Sequence, residues 1–301
     1  MIVYFIQAHR DERQVLNLVE LLLACPESFV IVSYDGPLPD ALRPGRANYM
    51  AKSAARKIRR GDFSPVDEYL DALRWLRDER IAYDWFVNLC GQSLPVQPVA
   101  QISAGIAKLE CDAVMHHFPM FSPQSDWPAH EETARVLYRY RKPTDRPLSK
   151  AARGILKAIN LGATAVQSRY RLSTSYGLHF GTRARPPDGL TFHGGSYFKY
   201  VSRRCGEYLL DYCAQRPEVL DFFRHSLVPD EIFTQTILLN HPFQISGENK
   251  MFFRFAGKKG GHPESLTEDD IDRAAGFHFA RKFAFESPAY RRVLAGIVGP
   301  G

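Results

Sequence analysis

Apolar runs and amphipathic segments alternate over the first third of the chain. Three runs have the length and the β-branched and aromatic content of buried strands; they are Ile2–Ala8, Phe29–Tyr34 and Trp85–Leu89. Between these runs, apolar residues recur at helical spacing, first at Val15, Leu18, Val19 and Leu22, then at Val66, Leu70, Leu73 and Leu76. This β-α-β-α-β order predicts an α/β fold whose mainly parallel sheet carries helices on both faces.

The predicted strands end in residues that can carry chemistry. His9 follows the first strand, Asp35 follows the second, and the loop Cys90–Ser93 follows the third. In open sheets of parallel strands, ligands bind beyond the carboxyl ends of the strands. We therefore expect these residues to share one rim of the sheet and to form part of a binding site.

The periodicity weakens in the middle of the chain. Between Phe118 and Leu190 seven prolines interrupt the pattern and basic residues are frequent. We predict an irregular segment over 120–190, either an insertion or a lid over the substrate, with one helix around Ala151–Ile159. The sequence leaves open whether it covers a substrate or forms only surface loops.

Regular patterning returns after Gly194. Helices are predicted near Arg204–Cys213 and from Pro229 onward, and a strand is predicted over Met251–Phe255. Thr267 and Asp270 have the spacing of a capping box at the start of a last short helix. Neither an internal repeat nor a linker interrupts the sequence, so residues 1–301 are predicted to form a single domain.

Composition narrows the class of protein only slightly. The 301 residues include 39 Lys and Arg against 33 Asp and Glu, a net charge of +6 that suits an anionic ligand without selecting one. No apolar stretch approaches the ~18 residues of a membrane helix. The five cysteines form no CxxC pair, so a reducing, cytoplasmic setting is expected. Zinc-finger and RNP patterns are absent, and we expect no nucleic-acid partner.

Common catalytic motifs are absent from the sequence. It contains no GxxxxGK[ST] loop, no GxSxG and no HExxH, and the turn after the first strand lacks GxGxxG. Glu110 and Asp112 would share one face of a strand and could imitate the DxD element of metal-dependent glycosyltransferases, although Asp112 could equally be a polar turn residue. The neighbouring His116 and His117 point to opposite faces, which disfavours a shared ion.

Two charged pairs near the C-terminal end admit two interpretations each. Asp230 and Glu231 lie in the predicted first turn of a helix, where they could offset the helix dipole or supply a general base. Arg281 and Lys282 could be surface residues, or they could neutralise a leaving diphosphate. Residue chemistry alone does not separate these alternatives.

Several segments, taken together, resemble the core-2/I-branching β-1,6-N-acetylglucosaminyltransferase family, which includes the peptide O-xylosyltransferases. They follow one another in family order and leave only 120–190 uncovered; they are Tyr4–His9, Phe29–Asp35, Phe86–Pro95, Gly194–Phe198, Pro229–Ile237, His262–Pro263 and Phe279–Phe283. The resemblance implies a GT-A type fold and an inverting, metal-independent transfer from a UDP-sugar, with no cofactor. N-acetylglucosamine is the first donor expected and xylose the second.

The resemblance also assigns roles to residues of this chain. The Glu of the family's "PDE" step falls on Glu231, which is implied to be the catalytic base. The implied donor-binding residues are Ala8, His9, Asp35, Cys90, Gly91, Lys259, Arg281 and Lys282, where Lys258 or Arg254 could replace Lys259. The implied acceptor-binding residues are Ser196, Tyr197 and Asp230.

This sequence departs from the family pattern at two places. Ser93 stands where the family usually carries Asp, and Tyr197-Phe198 stands where many members carry Trp. The chain looks like a bacterial, cytoplasmic member acting in polysaccharide biosynthesis on a glycan or lipid-linked saccharide, and its basic surface suits contact with anionic lipid at the inner face of the membrane. The alternatives are a metal-dependent transferase using Glu110 and Asp112, a non-catalytic glycan- or nucleotide-binding module, and, last, a nucleic-acid binder.

Overall fold

A computed structural model of the chain describes residues 1–142, 149, 151–152, 154–156, 158, 169–174, 177–255 and 263–298. The strands are β1 (Ile2–Ala8), β2 (Ser28–Tyr34), β3 (Tyr49–Ser53), β4 (Trp85–Cys90), β5 (Leu94–Pro95), β6 (Ala113–Pro119), β7 (Tyr138–Arg141), β8 (Tyr170–Ser173), β9 (His179–Arg183), β10 (His193–Ser202), β11 (Ile245–Ser246), β12 (Met251–Phe252) and β13 (Phe279–Ala280).

The helices are α1 (Glu12–Leu23), α2 (Ser64–Asp78), α3 (Val99–Ala107), α4 (Ala129–Val136), α5 (Arg203–Gln215), α6 (Pro217–Arg224), α7 (Phe233–Leu239), α8 (Glu268–Arg273) and α9 (Pro288–Val298). Two 3₁₀ turns are also present, Asp40–Leu42 and Pro229–Glu231, and the described residues 151–152, 154–156 and 158 are helical as well. Within that part of the chain, no helix is both long and apolar enough to cross a membrane.

A seven-stranded sheet in the order β11-β6-β10-β4-β1-β2-β3 forms the centre of the fold. All its neighbouring strands pair in parallel except β10, which lies antiparallel between β4 and β6. The predicted mainly parallel α/β sheet is thus confirmed. Because β1 has β2 on one side and β4 on the other, the strand order reverses at β1, and ligands bind at such a switch point.

The central sheet is covered by helices on both faces, as the alternating pattern predicts. Along β1, Val3 and Phe5 join a core cluster that contains the apolar faces of α2 and α5. Tyr4 and Ile6 point the other way, into a cluster with α1 and α3. A buried side chain of this size contributes roughly 1.5–3 kcal/mol to folding, so a strand with both faces buried is firmly held.

A small second sheet brings the C-terminal part of the chain against the loop after β4. Strand β13 pairs in parallel with β12 and antiparallel with β5, which places Phe279 opposite Pro95. Beyond β13, Phe283 is fully buried in a third core cluster with Tyr290 of α9. The residues between Phe279 and Phe283 are therefore fixed beside the carboxyl end of β4.

The described part of the segment 120–190 contains more regular structure than its predicted irregularity implied. It contains α4 and a three-stranded antiparallel sheet in the order β7-β9-β8. Tyr138 and Tyr140 of β7 pack one face of this sheet against Leu227 and Val228. Strands of four or five residues between prolines are too short to give a clear period. The helix predicted around Ala151–Ile159 is confirmed over its described residues, since 151–152, 154–156 and 158 are all helical.

Two local predictions near helix ends can be compared with the structure. The capping box at α8 is confirmed, since the Asp270 carboxylate accepts from the Thr267 N–H at 2.9 Å. The strand predicted over Met251–Phe255 is shorter than expected and ends at Phe252. Phe255 instead makes an isolated bridge to Pro263, so the chain has left the sheet by that point.

Candidate active site

The carboxyl ends of β1, β2 and β4 form one continuous rim. The Asp35 N–H donates to the Ala8 carbonyl at 2.7 Å, and the Gly91 N–H donates to the Gln7 carbonyl at 3.0 Å. A Cβ at Gly91 would lie 3.0 Å from the Ala8 Cβ, so the close approach of this loop favours glycine. The expectation that the residues after these strands share one rim is confirmed.

Gln92 connects the rim to the basic segment Arg281–Phe283. The Phe283 N–H donates to the Gln92 carbonyl at 3.1 Å, and the Gln92 side chain donates back to the Phe283 carbonyl at 3.4 Å. The same side chain accepts a hydrogen bond from Arg10 Nη2 at 2.8 Å. Arg10 is thereby held next to the segment that carries Lys282. The sequence analysis did not select Arg10, although its position directly after His9 could have indicated it.

Positive charge accumulates where these segments meet. Desolvation lowers the pKa of Lys282, and the charges of Arg10 and Arg281 lower it further. Desolvation also lowers the pKa of His9, again with Arg10 as the next contribution. Among the described residues, neither Arg281 nor Lys282 takes part in an ion pair. Asp11 lies 3.5 Å from Arg10, but the remaining positive charge of Arg281 and Lys282 favours binding of an anion.

Arg281 itself is placed by aromatic packing. Its guanidinium lies 5.0 Å from the centroid of the Phe198 ring, and its Nε is buried with no hydrogen-bond partner among the described residues. Its main-chain N–H donates to the Phe252 carbonyl at 2.9 Å. The backbone is thus fixed by β12, while the guanidinium retains donors that an anionic ligand could use.

A bulge in β10 shapes the middle of the site. Gly195 pairs with His117 and Lys199 with Met115, so three residues of β10 lie opposite a single residue of β6. A Cβ on Gly195 would lie only 2.0 Å from the His116 carbonyl oxygen, so this position requires glycine. Bulges of this kind redirect side chains next to active sites.

Two buried amides hold the bulge in place. Asn88 of β4 donates to the Tyr197 carbonyl at 2.9 Å and accepts from the Lys199 N–H at 2.8 Å. Gln235 of α7 donates to the Ser196 carbonyl at 2.7 Å. Each amide satisfies main-chain groups that the bulge removes from the strand ladder. The structure therefore brings Ser196 and Tyr197, the predicted acceptor-binding residues, to the carboxyl end of β4.

Tyr197 connects the basic segment to the acidic residues. Its hydroxyl donates to the side-chain oxygen of Gln7 on β1. Burial raises the pKa of Tyr197 well above its usual value, and the nearby charge of Asp230 raises it further, whereas that of Arg281 lowers it. The charges of Asp230 and Arg281 thus both act on this hydroxyl, although the hydroxyl itself is engaged inside the protein.

The acidic turn Pro229–Glu231 lies at the end of the bulge. It is a 3₁₀ turn, and α7 begins two residues later at Phe233, so the predicted helix from Pro229 starts later than expected. Val228 precedes the turn with φ at +53°, a conformation that a β-branched residue adopts only under strain. Its N–H donates to the Gly61 carbonyl at 3.0 Å. Strain of this kind often accompanies functional sites.

Glu231 is engaged by an arginine that the sequence analysis missed. Arg135 Nη1 of α4 lies 2.6 Å from Glu231 Oε2, while about a quarter of the Glu231 side chain, 26%, remains exposed. The Arg135 guanidinium also lies 3.7 Å from the centroid of the Trp127 ring. The charge pattern of Ala129–Val136, with Glu131 in its first turn and Arg135 in its last, could have indicated the helix but not this partner.

Asp230 is the more buried of the two carboxylates. One of its oxygens, Oδ1, is buried with no hydrogen-bond partner among the described residues. Burial raises the pKa of Asp230 to about 7, and the neighbouring Glu231 adds to this, whereas Lys199 opposes it. Asp230 and Glu231 therefore form an unequal pair of carboxylates in one turn.

The residues predicted for an alternative metal site, Glu110 and Asp112, do not lie at the rim. Asp112 precedes β6 at the edge of the sheet opposite the rim, where it accepts from Arg204 at 3.2 Å and from the Gln244 N–H at 2.9 Å. The alternative metal site at Glu110 and Asp112 is thus remote from the other candidate residues. Within the described residues, no three His, Cys, Asp or Glu side chains group closely enough to hold a metal ion.

Only one of the three residues predicted as a second diphosphate-binding cation, Arg254, belongs to the described part of the chain. Lys258 and Lys259 lie outside the described residues. Arg254 lies 3.1 Å from Glu264 and 3.4 Å from Asp270, so its charge is already paired near α8. Arg254 thus lies beside two carboxylates near α8, whereas Arg10 is held by Gln92 next to the segment that carries Lys282.

Comparison of the chain with protein-family models gives no match, and comparison with curated proteins gives no significant match.

Proposed function

We propose that the protein is an inverting, metal-independent glycosyltransferase of GT-A type that uses a UDP-sugar. One observation carries the proposal: Asp230 of the acidic turn and Arg281 of the basic segment both lie near enough to Tyr197 for their charges to act on its hydroxyl. Cations that can hold a diphosphate and carboxylates that can accept a proton thus occupy one site at the sheet's switch point. Both groups are required for transfer of a sugar by a single displacement.

The donor diphosphate would bind at the cations of the rim. Lys282 provides a compact charge, while Arg10 and Arg281 provide forked donors for phosphate oxygens. These groups would meet the negative charge that develops on UDP as it leaves, which is the role of a metal ion in other transferases. Asp35 Oδ1 accepts from the Ile58 N–H at 3.1 Å, which orients its carboxylate beside Ala8 and His9 for a ribose hydroxyl. Cys90 and Gly91 would border the same pocket.

Glu231 is the base in this proposal. Its carboxylate would take the proton of an acceptor hydroxyl while that oxygen forms a bond to the anomeric carbon. The bond from that carbon to the phosphate oxygen breaks on the opposite face, and its electron pair leaves with UDP. The configuration inverts, so an α-linked donor gives a β-linked product. Ser196 and Tyr197 lie beside the acidic turn, where an acceptor saccharide would bind.

The donor and acceptor sugars are proposed by class. N-acetylglucosamine is the first donor to test and xylose the second, because both are carried on the same UDP. A glycan or lipid-linked saccharide is the proposed acceptor, with polysaccharide biosynthesis in the bacterial cytoplasm as the setting. A net charge of +6 is compatible with contact at an anionic membrane surface.

Calorimetric titration of UDP in the presence of EDTA tests the donor site. Wild type should bind UDP, and Lys282→Ala should weaken binding about tenfold or more, the usual effect of losing one charge-assisted contact. Lys108→Ala, a change at an exposed lysine after α3, should bind like wild type. Binding that requires Mn²⁺ would instead support a metal-dependent transferase, and absence of UDP binding would contradict the proposal. UDP binding without turnover of either UDP-sugar would favour a binding module.

A further inference from the structure

A lysine is buried beneath the acidic turn. Only 4% of Lys199 is exposed, and its ammonium lies 3.5 Å from the Asp230 carbonyl oxygen and 3.4 Å from Thr234 Oγ1. The rings of Tyr69 and Tyr197 each have their centroid 5.5 Å from the same nitrogen. A lysine in these surroundings loses most of its hydration, and such burial is rarely retained without a charged neighbour.

The position of Lys199 depends on the bulge of β10. The bulge ends at Lys199, whose N–H is fixed by Asn88 at 2.8 Å. Beyond the bulge, the side chain points to the face covered by α2 and α7 and reaches the backbone of the acidic turn. The hydrogen bonds of Asn88 that hold Ser196 and Tyr197 at the rim therefore also direct the Lys199 side chain toward the acidic turn.

Two cations from different elements act on the acidic turn. Arg135 of α4 binds Glu231, and the charge of Lys199 on β10 lowers the pKa of Asp230. Burial lowers the pKa of Lys199 to about 8, while Asp230 and Glu231 raise it, so the lysine keeps its charge at neutral pH. Thr234 of α7 and Tyr69 of α2 complete the polar groups around the ammonium.

We propose that Lys199 is a positioning residue for Glu231, which fixes the backbone of the acidic turn and supplies the positive charge that balances its second carboxylate. This inference rests on the proposed function. Adjacent carboxylates in a desolvated site repel each other, and one of them then retains a proton. With Lys199 beside Asp230, both carboxylates of the turn can be ionised near neutral pH, so the charge of Asp230 does not force a proton onto Glu231.

The charge balance can be measured without knowing the acceptor. Side-chain carboxyl carbons of Asp and Glu are labelled with ¹³C, and the signals of the turn are assigned with Asp230→Asn and Glu231→Gln. In Lys199→Met, proton uptake by the turn should move about one pH unit higher than in wild type, a usual effect of removing one close opposite charge. An unchanged titration of both signals would overturn the inference.

Turnover provides the second readout. Release of UDP from UDP-N-acetylglucosamine or UDP-xylose, with water as acceptor, is followed against pH for wild type, Lys199→Met and Lys199→Arg. The acidic limb of kcat should shift upward by about one pH unit in Lys199→Met and much less in Lys199→Arg. Equal losses at every pH in both variants would indicate a purely structural role and would also overturn the inference.

Folding and the donor site are controlled separately. Because Lys199→Met removes a cation that acts on Asp230, the double variant Lys199→Met/Asp230→Asn is measured too, and it should restore a wild-type acidic limb. UDP affinity in EDTA should be unchanged in all three variants, since none alters the basic segment. Failure of wild type to bind UDP would contradict the proposed function, whereas the carboxyl titration would still decide the role of Lys199.

Discussion

Arg135 Nη1 lies 2.6 Å from Glu231 Oε2, an ion pair between residues 96 positions apart in the chain. The arginine side chain is only 9% exposed, and its guanidinium stacks on Trp127 at 3.7 Å. An arginine packed on an aromatic ring has few alternative rotamers, so it restricts the carboxylate it binds. The exposed part of Glu231 is therefore held in one orientation toward solvent, which a positioned base requires.

Replacement of Glu231 tests whether its carboxylate is the base. Glu231→Gln keeps the size of the side chain but cannot accept a proton, so kcat for sugar transfer should fall by about 10²–10⁴. UDP affinity should remain at the wild-type value because the basic segment is unaltered. The matched control is Glu131→Gln, since Glu131 lies 3.5 Å from the same arginine but is well exposed. Near-normal transfer by Glu231→Gln would rule out this residue as the base.

Arg10 should contribute to diphosphate binding, because its hydrogen bond to Gln92 holds it beside the basic segment. Arg10→Gln removes a forked donor next to Lys282, and we expect UDP affinity in EDTA to fall about tenfold, with a smaller dependence on salt. The measurement is calorimetric titration of UDP at two salt concentrations. Arg43→Gln is the control because Arg43 is an exposed arginine paired only with Asp40 within the described chain. Equal affinities of both variants would show that Arg10 does not contact the phosphates.

The close approach at Gly195 makes a prediction about stability. Gly195→Ala would place a Cβ 2.0 Å from the His116 carbonyl oxygen, which belongs to a central strand and cannot move easily. The free energy of unfolding should fall by about 2–3 kcal/mol, as expected for overpacking. Gly45→Ala is the control, since its Cβ would meet no atom within 4 Å. Chemical denaturation of both variants provides the comparison, and equal stabilities would contradict the bulge geometry.

The sequence predicted the parallel part of the sheet because its strands are long, apolar and separated by helices of clear period. It also predicted that His9, Asp35 and Cys90 share a rim, since strand direction alone determines that edge. The antiparallel direction of β10 could not be predicted, because strand pairing depends on contacts far apart in the chain. Neither could the bulge, whose register is set by Asn88 and Gln235 from other elements.

The sequence predicted the charged motifs of the candidate site, but it did not predict the residues that contact them. Arg135 lies in the segment 120–190, whose helices and strands are too short to show a clear periodicity in the sequence. Its ion pair with Glu231 joins residues far apart in the chain, so only the folded structure shows it. Lys199 stands between two aromatic residues, Phe198 and Tyr200, which is a visible signal, but its neighbours in space depend on the bulge. The motif that resembles "PDE" identified Glu231 without indicating that Asp230 beside it is the more buried carboxylate.

Asp230 should make the stability of the folded protein depend on pH. Its pKa is raised from 3.8 to about 7 by burial, so the folded protein binds a proton more tightly than the unfolded chain. The resulting stabilisation is complete below the pKa that Asp230 has in the unfolded chain, and it is lost as pH rises through the pKa that Asp230 has in the folded protein. Wild type should therefore lose stability between these two values, and Asp230→Asn should lose less. In wild type the pKa of Lys199 is lowered from 10.5 to about 8, so its own effect on stability falls in a higher window. Because Asp230 raises the pKa of Lys199, that window moves lower in Asp230→Asn, and the comparison is read below pH 7.

Thermal unfolding of wild type and Asp230→Asn across this pH range provides the measurement. Histidines and other groups that titrate in the same range are common to both proteins, so their contributions cancel in the difference between the two melting curves. Asp40→Asn is the matched control, since that carboxylate is 87% exposed, and it should follow wild type at each pH. If the difference in melting temperature between wild type and Asp230→Asn were constant with pH, Asp230 could not be the buried, proton-binding member of the acidic turn.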